Sequence, residues 1–186
     1  DGVTAELDTD AELATSAGGL ELAWSLELPP RGERTVSWAI TVQDADAVVA
    51  AATTEADWAW ARSSGDPRLD AWLARAHTDL DALRMSTVSE PGSVFLAAGA
   101  PWFFTLFGRD SIWAARLLAP LGGTLARDTL RVLAGMQGRR VDDETGEQPG
   151  KIPHELRRSA QQFTTESLSL PPLYYGTIDA TALWIC

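Results

Sequence analysis

Ala97-Ala-Gly-Ala-Pro-Trp-Phe-Phe-Thr-Leu-Phe-Gly-Arg-Asp-Ser-Ile-Trp-Ala-Ala-Arg116 is the stretch whose reading decides the fold. Small residues, with Gly99 and Pro101 as turn formers, lead into the aromatic cluster Trp102, Phe103, Phe104 and Phe107. A glycine follows, and then Arg109 and Asp110 stand at the mouth of a helix expected to begin near Ser111. Aromatic faces beside a fixed Arg/Asp pair suit a sugar, whose C–H faces pack on rings and whose vicinal hydroxyls take paired donors and acceptors. A second reading stays open on the same residues. Asp110 or Ser111 caps the helix, the aromatics are core, and Arg109 is a structural ion-pair partner.

Outward from this stretch, helical spacing dominates. On the C-terminal side the helix from Ser111 runs through Trp113, Ala114 and Leu117 and stops at Pro120, Gly122 and Gly123. Leu125, Thr129, Val132, Leu133 and Met136 mark another amphipathic helix, to about Gln137. On the N-terminal side Asp66-Pro67 combines an N-cap with proline at the first helical position. Leu69, Trp72, Leu73, Ala76, Leu80 and Leu83 then follow at helical spacing to about Met85, with His77 read as a packed or surface histidine. A loop with Pro91 and Gly92 connects this helix to the central stretch. The Ala-rich run 44–65, broken by Ser63-Ser-Gly-Asp-Pro67, reads as a linker helix.

Residues 1–43 read differently. Leu20–Leu28 and Arg34–Val42 alternate with period two around a Pro29-Pro-Arg-Gly32 turn, so they are expected as strands. A hairpin of two strands is marginal alone, which assigns 1–43 to the end of a larger β-sandwich. Between Arg139 and Leu173 periodicity fades. Within that segment 159–169 is expected to be disordered, while Lys151–Arg157 reads as an ordered loop at a site. Leu173–Trp184 repeats the logic of the central stretch, with Tyr175 and a glycine ahead of Asp179 at a helix start; Thr177 or Asp179 as a plain cap is the alternative.

Composition bounds the partners. A formal charge of −11 argues against nucleic-acid and anionic-membrane binding, both of which begin with cationic patches. The single cysteine, Cys186, excludes an internal disulfide and fits a reducing, cytoplasmic compartment. No signal peptide or membrane-length apolar run is seen, and the chain reads as a piece of a longer protein. His154-Glu155 lacks the second helical histidine of a zinc signature, since His77 is the only other one, so no metal or cofactor is expected. Neither a phosphate-binding glycine loop nor a serine elbow is present.

Three motifs in order carry a family resemblance. The run Gly99–Ile112, the run Glu147-Gln-Pro-Gly-Lys-Ile-Pro-His-Glu-Leu-Arg157 and the run Tyr174-Tyr-Gly-Thr-Ile-Asp-Ala-Thr-Ala-Leu183 resemble the bacterial glycogen-debranching, amylo-α-1,6-glucosidase-like family. The Arg-Asp-Ser element is also similar to its counterpart in glucoamylases. The resemblance implies a mainly α chain with an N-terminal β part. In that layout 1–43 ends a β-sandwich, 44–65 links, and 66–186 holds the first helices of an incomplete (α/α)6 barrel. It also implies hydrolysis of α-1,6 branch points of glycogen or limit dextrin by inversion, with a glucan as partner. Arg109 and Asp110 would grip the terminal glucose. Asp179 and Tyr175 follow as ligands, then Trp102, Lys151, His154 and Glu155, and the catalytic acid and base would come from later helices, leaving this piece inactive alone. Another glycosidase of the same barrel type, or a non-catalytic carbohydrate-binding fragment, is the competing reading.

Overall fold

Asp66 and Pro67 behave as their residue types dictate. In the computed structural model, which describes residues 2–58, 63–163 and 168–186, helix α1 spans Pro67–Ala82, with the Asp66 carboxylate accepting the Arg68 amide at 2.9 Å. The chain divides into two compact units, Asp1–Asp46 and Ala47–Cys186.

The first unit consists of two antiparallel ribbons. Strand β1 (Val3–Thr9) pairs with β4 (Trp38–Asp44), and β2 (Glu12–Ser16) pairs with β3 (Gly19–Ala23). The alternating tracts expected as one hairpin are therefore each partnered with an earlier strand, although the Pro29–Gly32 turn forms, with the Gly32 amide donating to the Pro29 carbonyl at 2.8 Å. Register sets Leu7 opposite Ile40 and Ala5 opposite Val42 on one face, while Glu6 and Thr41 share the other. None of the described residues of this unit is buried.

The second unit holds the core. Strands β5 (Val49–Ala51), β6 (Arg84–Thr87) and β7 (Glu90–Leu96) form an antiparallel sheet in that order. Helix α2 (Gly108–Leu118) runs into a 3-10 turn at Ala119–Leu121, and α3 (Leu125–Gly135) follows. Two short ribbons come next, β8 (Glu155–Leu156) with β11 (Leu173–Tyr174), and β9 (Gln161–Phe163) with β10 (Leu168–Leu170). Helix α4 (Ala180–Ile185) ends the described chain. Phe95 packs with Met85, Leu106, Ile112, Val132, Leu133 and Ile152, whereas its neighbours Val94 and Leu96 pack with Ala115 and Leu125. Strand β7 is thus covered on both faces, which accounts for its continuous apolar run.

These observations correct the expected class. The described chain is 27% helix and 29% strand, with four helices and eleven short strands in small sheets, so it is a mixed α/β molecule and not a mainly α one carrying an incomplete (α/α)6 barrel. The helix expected over 44–65 is replaced by β5 and irregular chain in its described part; residues 59–62 lie outside the described residues. Met85 belongs to β6, because α1 stops at Ala82, and the Pro91–Gly92 loop is the start of β7. The segment expected to be disordered contributes β9 and part of β10, whose Gln162 and Ser169 are cross-strand partners; 164–167 lie outside the described residues.

Candidate functional site

Helix α2 begins three residues earlier than its spacing suggests. Phe107 is the N-cap and makes no side-chain capping bond, so Arg109 and Asp110 occupy the first turn. Ser111 is buried, and its hydroxyl donates to the Leu96 carbonyl at 2.8 Å, joining the helix to the end of β7. Neither Asp110 nor Ser111 caps the helix.

From this turn Arg109 reaches across 70 residues of sequence to the start of α4. Its Nη1 lies 3.2 Å from Asp179 Oδ2, and its Nε is 3.7 Å from Asp110 Oδ2. Asp179 stands at the N-cap of α4, yet its side chain makes no capping bond. Instead Oδ1 accepts the Thr177 hydroxyl at 2.6 Å. That hydroxyl, with Arg109 beside it, holds the Asp179 carboxyl below the usual carboxylate range. All three side chains of the cluster are between a third and a half exposed. Ion pairs this open contribute only about 0–1 kcal/mol to stability. What they fix is orientation, presenting unspent guanidinium donors beside two acceptor carboxylates, the complement of neighbouring hydroxyl groups.

A row of rings flanks the start of α2. Phe103 meets Phe107 edge to face at 5.7 Å, Phe107 meets His154 at 5.5 Å, and His154 meets Tyr174 at 5.9 Å. The segment 152–154 passes between the two helix starts. Its His154 carbonyl accepts the Gly108 amide at 2.9 Å, and its Ile152 amide donates to the Thr181 hydroxyl at 3.0 Å. His154 Nδ1 is buried without a hydrogen-bond partner.

The remaining expected residues separate by role. Trp102 is 80% exposed in the turn before the ring row. Tyr175 is buried and donates its hydroxyl to the Met136 carbonyl at 2.7 Å, so it serves packing and not the Arg109 cluster. Burial pushes its phenol up from the ordinary value, with the Glu147 charge adding to the effect and Arg140 opposing it. The Lys151 ammonium donates to the Gly146 carbonyl at 2.9 Å and closes the turn that carries Glu147. Glu155 is buried, and both Nε and Nη2 of Arg157 lie 2.8 Å from its Oε2. The Arg157 guanidinium also stacks 5.6 Å over Phe107. Of the eight expected residues, then, the structure draws Arg109, Asp110 and Asp179 into one cluster, with His154 alongside through its ring and backbone.

Sequence reasoning passed over two contributors. Thr177 enters the sequence reading only through the alternative of a plain cap, although a hydroxyl two residues before an aspartate is placed to bond it locally. Arg157 lies inside a quoted motif, but nothing in its spacing names Glu155 as its partner. Two clefts of this unit, of about 190 and 290 Å³, are lined by other residues. Among the described residues no group of three or more His, Cys, Asp or Glu is arranged to hold a metal ion, and no helix is long and apolar enough to cross a membrane. No protein-family model matches the chain, and no curated protein matches it.

Proposed function

We propose that Arg109, Asp110 and Asp179 bind the non-reducing-end glucose of a glucan. In this reading the chain is the glucose-gripping part of a glycoside hydrolase that cleaves α-1,6 branch points of glycogen or limit dextrin with inversion, in the cytoplasm. The observation that carries it is the Arg109–Asp179 pair, which joins two helix starts far apart in sequence at an exposed, ring-flanked surface. The motif resemblance supports the same substrate.

The chemistry of inversion needs one protonated and one ionised carboxyl, about 6.5–9.5 Å apart around an attacking water. Asp179, kept ionised by Thr177 and Arg109, suits acceptance of sugar hydroxyls and not proton donation. Glu155 is committed to Arg157. Neither is assigned as the acid, and the role proposed for this chain is recognition. Matched polar contacts discriminate strongly, because a sugar lacking the hydroxyl leaves them unpaired.

Calorimetric titration with isomaltose tests the reading. Asp179→Asn and Asp110→Asn are expected to weaken binding at least about tenfold, the loss of one charge-assisted hydrogen bond, with little change in melting temperature. A wild-type chain that binds no glucan oligosaccharide, or variants that bind equally, would overturn it. Release of glucose from limit dextrin by the whole enzyme separates hydrolysis from binding without catalysis.

A further inference from the structure

The two halves of the Arg109–Asp179 pair come from different helices, so something must set their separation. Glycine is a poor residue for a helix interior, yet Gly108 opens α2 directly before Arg109. Its backbone is not left-handed, so rotation about φ is not what it supplies. Space is. An ideal Cβ on residue 108 would fall well inside 3.0 Å of the Pro153 carbonyl oxygen and 3.2 Å from the Ala180 methyl. Pro153 belongs to the 152–154 segment, and Ala180, fully buried, is the first residue of α4 and the neighbour of Asp179. The same three chain segments are joined by the Gly108–His154 and Ile152–Thr181 hydrogen bonds.

We infer that Gly108 is a positioning residue: the bare Cα lets the start of α2, the 152–154 segment and the start of α4 close on one another, and that approach holds Arg109 within reach of Asp179. What the pair then binds rests on the glucan reading above; the positioning role does not. A methyl group at 108 needs roughly 3.3 Å or more from a carbonyl oxygen. The Pro153 carbonyl is backbone and cannot swing aside as a flexible side chain would. Residue 108 and the 153–180 wall must therefore separate by about 1 Å, a misplacement that can cost on the order of a hundredfold in a preorganised site.

The test is a carbon-13 NMR titration of the Asp179 carboxyl in the full chain, with three proteins compared. Arg109→Gln gives the midpoint without the guanidinium. Gly108→Ala is expected to shift the wild-type midpoint upward towards that of Arg109→Gln, and to weaken isomaltose binding at least about tenfold. A folded Gly108→Ala protein whose Asp179 titrates as in wild type overturns the inference. Where Gly108→Ala does not fold, the same titration is read on Ala180→Ser, which adds one oxygen to the opposite side of the contact. There too a shifted midpoint supports the role and an unmoved one removes it. A shifted midpoint with unchanged isomaltose affinity leaves Gly108 in place and removes the glucan reading instead.

Discussion

Replacing Glu155 by glutamine tests whether a motif carboxylate serves the fold or the ligand. The side chain is 2% exposed and its partner Arg157 is 20% exposed, with two nitrogens of the guanidinium at 2.8 Å from one carboxylate oxygen. Removing one member of a fully buried ion pair costs about 3–5 kcal/mol, because the other charge is left uncompensated. Arg157 keeps some water and its stack on Phe107, which lowers the expected loss to about 2–4 kcal/mol. For a unit of this size that is a fall in melting temperature on the order of 5–15 °C. Urea unfolding of Glu155→Gln, Arg157→Met and the double variant measures it. The double variant should lose clearly less than the two single losses added together, since it strands no charge. A loss below about 0.5 kcal/mol, typical of an unconstrained surface position, would refute the argument. So would a loss of isomaltose affinity with stability intact, which would make Glu155 a ligand.

Two further outcomes follow from the same geometry. Tyr175→Phe removes the hydroxyl donated to the Met136 carbonyl and should cost about 1 kcal/mol in chemical unfolding while leaving isomaltose affinity unchanged; reduced affinity would return Tyr175 to the site. On acidification, stability should fall as pH drops through and below the ordinary carboxylate range of about 3.9–4.3. Asp66, Asp70, Glu147 and Asp179 are all held low, chiefly by the Arg68 amide, the Ser64 amide, the Arg139 amide and the Thr177 hydroxyl respectively. For depressed groups the stabilisation is complete above their unfolded values and is lost as pH falls through the lower folded ones. A melting temperature flat from pH 6 to pH 2.5 would contradict this.

How much of this was legible depends on where the signal lies along the chain. The Asp66-Pro67 start of α1 and the span of α3 were readable because capping and helical spacing are local. Strand β7 was not. Its apolar run Val94–Leu96 is short and is buried on both faces, so it has no alternation to detect. Pro91 and Gly92 meanwhile read as loop, although they are exposed at the outer end of the strand. Strands β8 to β11 are two or three residues long, too short to show a period, and β8 pairs with β11 some 17 to 19 residues away, a property no local window carries. At the site, aromatics and a glycine before each acidic helix start pointed to Arg109, Asp110 and Asp179 together. The packing role of Tyr175 has no sequence signal, because a phenol looks the same whether it faces solvent or the Met136 carbonyl.

The Ser111 hydroxyl bond to the Leu96 carbonyl has a consequence for entropy. It anchors the first turn of α2 to the best-packed strand of the sheet, so the backbone under Arg109 has little freedom left. The guanidinium, 3.2 Å from the Asp179 carboxylate, starts from a paired position. Ordering a long side chain costs roughly 0.5–1.5 kcal/mol when it happens on association. On the proposed glucan reading, part of that loss would fall on folding and be spared when a sugar hydroxyl arrives.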